Sequence, residues 1–466
     1  MATRRAHGNK SSQRANRSWR LKVHFLDNVL GVVDSGLCTG CGTCAGVCPL
    51  QIVRMKIQDG VFSPELDSAK CNHCGLCVRC CPGYTVDFKK LNESVFGKQG
   101  EDASIGNYLG CYVGHSTDRK IRGMSPSGGV VTQLLAFGFD ARLFDAALVV
   151  RMRKDSPLHT EAFVARRKED LFCASKSKYC PTSVNEALFL LRKEKGRFAL
   201  VGLPCQIHGL RKAEQELDDV KSKIVLRIGL FCSHSVGFDG TEFLVEKLGV
   251  RQEQIREIVY RAPDSPGHMC LRLVNEINIT LPMVGSWHAY MPIFSSFLFT
   301  PKRCAMCPDM TSELADISVG DAWFPEFKGS KLGESILIAR TWKGQEILNQ
   351  ARKAKTLFLL PADGERVKRS QLVPLTFKKA DLETRLEIIK SQRAPTPVFI
   401  GVGCKRERSI VSYLRNLYVL SNIRISQNHA FRRVLLRVPL PFHRLGYGVY
   451  MFLCHINRGE GKFEAA

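Results

Sequence analysis

Residues 38–49 read CTGCGTCAGVCP and residues 71–82 read CNHCGLCVRCCP, two copies of one pattern. Each sets four cysteines at the spacing C-x2-C-x2-C-x3-C followed by proline: Cys38, Cys41, Cys44 and Cys48, then Cys71, Cys74, Cys77 and Cys81. Three thiolates at i, i+3 and i+6 on a tight loop can wrap one 4Fe-4S cube, and the fourth, a helical turn later, ligates the other. The spacing therefore assigns Cys38, Cys41, Cys44 and Cys81 to one cluster and Cys71, Cys74, Cys77 and Cys48 to the second. Gly40, Gly42 and Gly75 let backbone N–H groups approach the cluster sulfurs, and Pro49 and Pro82 turn the chain after each fourth ligand. Cys80 is surplus to this scheme. A pair of zinc knuckles would need only four thiolates per site, and neither the triple spacing nor the prolines.

Around this module the chain runs to 466 residues with 19 cysteines and 44% hydrophobic residues, enough for real cores. No run approaches about 18 consecutive apolar residues, and no charged start leads into a short apolar stretch with a cleavage site, so a soluble, cytoplasmic protein is expected. In a reducing compartment so many thiols point to metal or redox ligation and not to disulfides.

After Cys81 a polar linker is expected near residues 89–107, and the periodicity then becomes that of an α/β domain. SPSGGVVTQLLAFGFD (125–140) reads as a helix capped by Ser127 and closed near Gly138. LFDAALVV (143–150) and EAFVARR (161–167) read as strands, and SVNEALFLLRKEKG (183–196) as an amphipathic helix ending at Gly196. RFALVGLP (197–204) and KIVLRIGLFC (223–232) read as strands separated by a basic helix around His208 to Leu217, an order that supports parallel β-α-β units. Cys205 follows the first of these two strands and Cys232 closes the second, so parallel pairing brings both thiols to the carboxyl edge of one sheet. KRCAMCPDM adds Cys304 and Cys307 in a C-x2-C pair, and the four together could hold a third 4Fe-4S cluster, with Cys111 in reserve. The competing reading makes Cys205 and Cys232 buried structural thiols. Cys173, Cys180, Cys270, Cys404 and Cys454 have no partner at metal spacing and are assigned to core packing.

The net charge of +24 is concentrated at the ends. Residues 1–26 hold seven Lys and Arg and no acid, and residues 405–466 hold eleven against three acids. Such arms suit an acidic partner, a membrane surface or plain solvation. No nucleic-acid motif accompanies them. The acid-free, Arg-rich start also suits a transit peptide. In the C-terminal extension, Arg432, Arg433, Arg437 and Arg444 stand beside Val434, Leu435, Leu436, Leu440 and Phe442, a mixture fit for an anionic membrane surface or a partner, while Pro439 and Pro441 argue against one continuous helix.

Six ordered blocks, SPSGGVVTQLLA, SKSKYC, LVGLPCQIHGL, IGLFCSH, YRAPDSPG and KRCAMCPDMTSELADISVGDAW, resemble the coenzyme F-420 hydrogenase/dehydrogenase beta-subunit family over residues 108–395. The resemblance implies an FAD-binding iron-sulfur domain whose GxPC, FC and CxxC elements match Cys205, Cys232, Cys304 and Cys307. It places Lys176, Ser177, Lys178 and Tyr179 near the flavin, and Gln206 and Asp321, the latter in GDAW, where they could orient the isoalloxazine or a cluster thiolate. Ser127, Gly128 and Gly129 open a helix, and a Gly-Gly amide pair there is a ready site for the FAD pyrophosphate. His208 and His234 are proton-donor candidates only by closeness in sequence to the proposed ligands. The expected class is α+β to α/β: a basic tail over 1–26, a two-cluster ferredoxin-like domain over 27–90, a mixed α/β flavin-binding iron-sulfur domain over 108–395, and a basic extension over 405–466.

Flavin can exchange a hydride yet release single electrons, and each cluster carries one. The leading expectation is an oxidoreductase moving electrons between a hydride carrier, reduced coenzyme F-420 or a similar deazaflavin, and ferredoxin. The alternatives are a ferredoxin-dependent reductase of an organic substrate, such as a tetrapyrrole or a polysaccharide precursor, and an electron-relay subunit of a larger redox complex.

Overall fold

The computed structural model describes residues 27–402 and 409–456, so the expected tail of residues 1–26, Cys404 and the outermost part of the C-terminal extension lie outside it. Both cysteine motifs fold as their glycines allow. Gly40 and Gly42 adopt φ of +67° and +82°, and the chain then turns into a short helix, Thr43–Val47. A side chain at Gly40 would meet the Phe62 carbonyl oxygen at 2.9 Å. Gly75, at φ +70°, opens the matching helix Leu76–Arg79. Between the motifs β1 (Val53–Gln58) and β2 (Val61–Leu66) form an antiparallel hairpin, and β3 (Thr85–Asp87) follows the second motif.

The expected linker is half helix. Asp87 accepts the Lys90 N–H at 2.9 Å and caps Phe88–Phe96, which buries Phe88, Leu91 and Asn92 and ends at Gly97. The run reads as polar because only one face of the helix is apolar.

The large domain is built on an eight-stranded mixed sheet. Its strands are β4 (Gly110–Ser116), β5 (Ala146–Met152), β6 (Thr160–Ala165), β7 (Phe198–Gly202) and β8 (Ile224–Leu230), then, beyond a separate antiparallel sheet of β9 (Ile255–Ala262), β10 (His268–Leu273) and β11 (Asn278–Pro282), β12 (Ile317–Asp321), β13 (Ser335–Ala339) and β14 (Leu357–Ala362). The order is β14-β4-β13-β12-β8-β7-β5-β6. The central run β12-β8-β7-β5 is parallel, as the β-α-β reading predicts, and the outer strands pair antiparallel. Near-continuous Val, Ile, Leu and Ala in the parallel strands match burial on both faces.

Helix Val130–Asp140 is capped at Gly129 and not at Ser127. Gly138 lies inside this helix, where a side chain would strike the Phe144 ring at 2.2 Å, so its glycine serves packing and does not end the helix. The expected helix over residues 183–196 begins as a 3-10 turn, Val184–Ala187, before the α-helix Leu188–Lys193. Helix Pro204–Glu216 starts directly after β7.

The last strand, β15 (Val398–Ile400), returns to pair in parallel with β3, tying the end of the large domain to the iron-sulfur module. Beyond it, helix Ile410–Gln427 is anchored by the buried Arg415 guanidinium, which donates to both carboxylate oxygens of Asp381 at 2.7 and 2.8 Å. Helices His429–Arg437 and Leu440–His455 follow, broken at extended Val438 and at Pro439, in line with the two prolines. No helix among the described residues is long and apolar enough to cross a membrane.

Candidate metal centres

The two motifs exchange their fourth cysteines in space. Cys38, Cys41, Cys44 and Cys81 line one small cavity with Val29, Met55 and Pro82. Burial pushes the Cys38 thiol up to about 12 against the pull of the Gly40 N–H, and holds Cys44 well above the ordinary range, with Cys41, Cys38 and Cys81 adding to the effect. Cys48 lies instead within electrostatic reach of Cys77, as does Cys74. Cys71 is half-buried and Cys74 exposed, so the second set opens towards solvent.

At the sheet edge the thiols of the large domain also meet. Cys205 is the second residue of helix Pro204–Glu216, Cys232 follows β8, and Cys304 is the middle residue of the turn Lys302–Met306, which Cys307 directly follows. Burial raises Cys205 far above the usual thiol range, and Cys41, Cys307, Cys304 and Cys232 all press in the same direction. Cys205 thus stands between its own set and the first motif. Cys232 is pushed by burial to about 12, opposed by Lys378. Cys111, the reserve ligand, is buried inside β4 opposite Ile338 and Ala362, away from the other thiols. Cys80 is buried near Glu216 and Lys212. Of the thiols assigned to packing, Cys180 and Cys454 are buried, Cys270 is half-buried, and Cys173, in the short helix Leu171–Ala174, is exposed and so does not pack in a core.

Soft thiolate donors in sets of four are the chemistry that 4Fe-4S groups take. Among the described residues no three Cys, His, Asp or Glu side chains converge tightly enough to hold one metal ion. Four buried thiols cannot ionise together unless cationic iron offsets their charge. Buried cations complete the surroundings: Lys212 donates to the carbonyls of Cys81 and Thr85, Arg303 to those of Pro82 and Gly83, and Lys378 to that of Cys304. Sequence reading missed all three, although Arg303 stands beside a cysteine in KRCAMC.

Glycines set the modules against each other. A side chain at Gly46 would lie 2.1 Å from the Asn185 carbonyl oxygen, and one at Gly209 2.1 Å from the Thr43 hydroxyl. Through that contact Asn185 donates to the Thr43 hydroxyl at 2.8 Å and to the Gln206 carbonyl at 2.7 Å, while the Thr43 hydroxyl lies 3.2 Å from the Cys41 sulfur.

The flavin candidates fall into two groups. Ser127, Gly128 and Gly129 sit at the carboxyl edge, where the Ser335 hydroxyl donates to the Ser127 carbonyl and Gly128 adopts φ +90°. Asp321 ends β12 and accepts from Arg261 at 2.7 Å, and the Arg261 guanidinium also lies over the Trp323 ring. The Tyr179 ring packs among Tyr260, Tyr290 and Phe294, within hydrogen-bonding reach of Ser177 and Arg261. Lys176 is half-buried in the left-handed region at φ +69°. Lys178 is taken up locally: its ammonium donates to the carbonyls of Ala174, Ser175 and Lys176, and burial pulls it down to about 8. Gln206 is buried with its amide engaged by the Leu203 N–H and by Thr182, so it fixes the start of its helix. His208 pairs with buried Asp309 at 2.8 Å. His234 bonds the Phe294 carbonyl, and burial lowers it to about 4, which leaves a neutral imidazole at neutral pH.

A 4Fe-4S module fixed against the carboxyl edge of a mixed α/β sheet defines an iron-sulfur oxidoreductase architecture. Family models described as coenzyme F420 hydrogenase/dehydrogenase, beta subunit, match residues 111–189 for the N-terminal part and 195–364 for the C-terminal part, and a 4Fe-4S dicluster domain matches residues 37–85. The chain belongs to the coenzyme F420 hydrogenase/dehydrogenase beta-subunit family. It is 28% identical over 303 residues to the coenzyme F420 hydrogenase subunit beta of Methanothermobacter thermautotrophicus, covering 63% of this chain and 99% of that one. It is 29% identical over 375 residues to the coenzyme F420-dependent sulfite reductase of Methanocaldococcus jannaschii, covering 76% of this chain and 52% of that protein. Among solved structures, the F420-reducing [NiFe] hydrogenase complex from Methanosarcina barkeri contains a chain of the same fold, at TM-score 0.50 and 20% identity, covering 64% of this chain and 98% of that one.

Proposed function

We propose that this protein moves electrons between a reduced deazaflavin of the coenzyme F420 type and one-electron carriers, through FAD and three 4Fe-4S clusters. The observation that carries the reading is the position of Cys205, within electrostatic reach of Cys41 on one side and of Cys232, Cys304 and Cys307 on the other. In this reading Cys48, Cys71, Cys74 and Cys77 hold an outer cluster, Cys38, Cys41, Cys44 and Cys81 a middle one, and Cys205, Cys232, Cys304 and Cys307 an inner one. When bound, a flavin couples hydride transfer to single-electron transfer, and each cluster carries one electron. At Gly46 and Gly209 the two modules pack so closely that neither position has room for a Cβ.

Ser127, Gly128 and Gly129 would bind the FAD pyrophosphate at the start of an 11-residue helix, where backbone N–H groups and the helix dipole favour anions. Arg261, oriented by Asp321, and Tyr179 would border the ring system. A ferredoxin-type partner would approach the exposed loop around Asn72, His73 and Cys74, where the outer set meets solvent. Several relatives bear the names of hydrogenase or dehydrogenase subunits, which favours membership of a larger redox complex. The C-terminal extension would add a peripheral contact surface of its own.

The test is anaerobic reconstitution of the full chain followed by iron and flavin analysis and titration with reduced F420. About twelve irons and one FAD per chain, with bleaching of the flavin band by reduced F420, are expected. Only about eight irons would remove the inner cluster, and a flavin band that reduced F420 leaves unchanged would remove the deazaflavin as donor.

A further inference from the structure

The strongest feature outside the redox site is the last described helix, Leu440–His455, together with its continuation at Ile456. Phe442, Leu445, Val449, Phe452 and Ile456 recur at steps of three and four residues, so they share one helix face, and each is between 46% and 58% exposed. A soluble helix ordinarily turns such a stripe inwards. Here the inward face is carried by His443, Tyr450 and Cys454, with Tyr450 packed against Phe297 and stacked on Tyr418. The apolar stripe faces solvent in addition to that core.

Its surroundings are cationic and aromatic. Residues 409–456 contain six arginines and no acid. Arg415 is consumed by Asp381, but Arg433 and Arg437 are exposed on helix His429–Arg437, whose Phe431 and Val434 are also exposed while Leu435 and Leu436 pack inwards. The Arg444 guanidinium lies 5.2 Å from the centre of the exposed Trp287 ring. Exposed apolar side chains on helices that also carry arginines, one of them over an exposed tryptophan, are what the interface of an anionic bilayer selects. The apolar groups enter the headgroup boundary, the guanidiniums meet lipid phosphates, and the indole sits at the water interface.

We propose that helices His429–Arg437 and Leu440–His455 form a peripheral docking surface for anionic phospholipid, with Phe442, Leu445 and Val449 as its apolar core and Arg433, Arg437 and Arg444 as its phosphate contacts. The proposal rests on the reading of the extension as a contact surface and names the partner; it is independent of the redox reading. Protein–protein association is the competing use of the same stripe, and the absence of any acid in the segment favours lipid, since a self-complementary surface would bring like charges together.

The experiment is sedimentation of the anaerobically purified full-length holoprotein with vesicles of phosphatidylcholine alone and of phosphatidylcholine mixed equally with phosphatidylglycerol, at low and high salt. The protein should bind the mixed vesicles, bind phosphatidylcholine weakly, and lose affinity as salt rises. The exposed-site variant Leu445→Glu/Val449→Glu should lose about tenfold or more in affinity with its iron and flavin content unchanged. Arg433→Gln/Arg437→Gln should weaken binding to the mixed vesicles only. Equal binding to both vesicle types, or mixed-vesicle binding that neither variant alters, would overturn the proposal. So would a wild-type dimer that the glutamate variant splits, which would keep the extension as a contact surface but assign the stripe to a second copy of the chain. None of these outcomes touches the iron stoichiometry on which the redox reading depends.

Discussion

The ammonium of Lys212, from the helix that follows β7, donates to the carbonyl of Cys81 at 2.5 Å, so a cation of the large domain reaches into the iron-sulfur module. Burial lowers the pKa of Lys212, and the neighbouring thiols of Cys81, Cys80 and Cys41 oppose that shift. A fixed positive charge stabilises the more negative, reduced state of any cluster held by those thiols. Lys212→Met is therefore expected to lower the midpoint potential of the cluster on Cys38, Cys41, Cys44 and Cys81 by on the order of 60 mV, a tenfold change in the one-electron ratio. Redox titration followed by paramagnetic resonance measures this. A midpoint that stays in place would mean that Lys212 only ties two carbonyls together.

The exchange of fourth cysteines gives a second outcome. Cys48 lies near Cys77, while Cys81 lines the cavity of Cys38, Cys41 and Cys44. Cys48→Ser should broaden or remove the signal of the cluster bound by Cys71, Cys74 and Cys77, and leave the other signal in place. Selective loss of the cluster nearest to Cys48 in sequence would contradict the crossed arrangement.

How far the sequence discloses these features depends on whether the signal is local. The thiol exchange is legible because the spacing itself encodes it, and the meeting of Cys205 with Cys232 follows from parallel strands β7 and β8 ending on one edge. Gly138 misleads because a glycine late in an apolar run resembles a helix end, whereas its cause is the ring of Phe144 pressing from outside the helix. Phe88–Phe96 reads as linker because its polar face outweighs three buried residues in composition. Lys212, Arg303 and Lys378 are invisible for a deeper reason: nothing local marks which of 68 basic residues the fold will bury.

Glu186 supplies a pH prediction. It sits where the modules touch, next to Gly42, and burial alone raises its carboxyl from the ordinary value to about 7. A carboxyl raised on folding adds nothing to or subtracts nothing from stability below its unfolded pKa, where both states are protonated. As pH rises towards 7 the unfolded chain ionises first and stability falls, and above 7 the loss is constant. The group keeps some solvent contact, so the loss is about 1–2 kcal/mol. Glu186→Gln should raise the melting temperature by about 1–2 °C at about pH 8 and by almost nothing at about pH 4, as scanning calorimetry at one fixed rate would record.

The contact at Gly46 tests whether the module is packed rigidly or merely tethered. A methyl group there would lie 2.1 Å from the Asn185 carbonyl oxygen and 2.8 Å from the Leu188 side chain, and the first of these is backbone that cannot rotate away. Gly46→Ala should force the module outwards at a loss of about 1–3 kcal/mol, the usual range for overpacking. Because Thr43 and Asn185 bridge the same seam, the shift should also slow electron transfer between the clusters proposed at Cys41 and at Cys205 more than it changes the potential of either. Stopped-flow reduction, read at the flavin band and at the broad cluster absorbance, separates the two effects. Wild-type rates together with wild-type stability would mean that the seam yields at no cost and that the glycine contact does not set the distance between the redox centres.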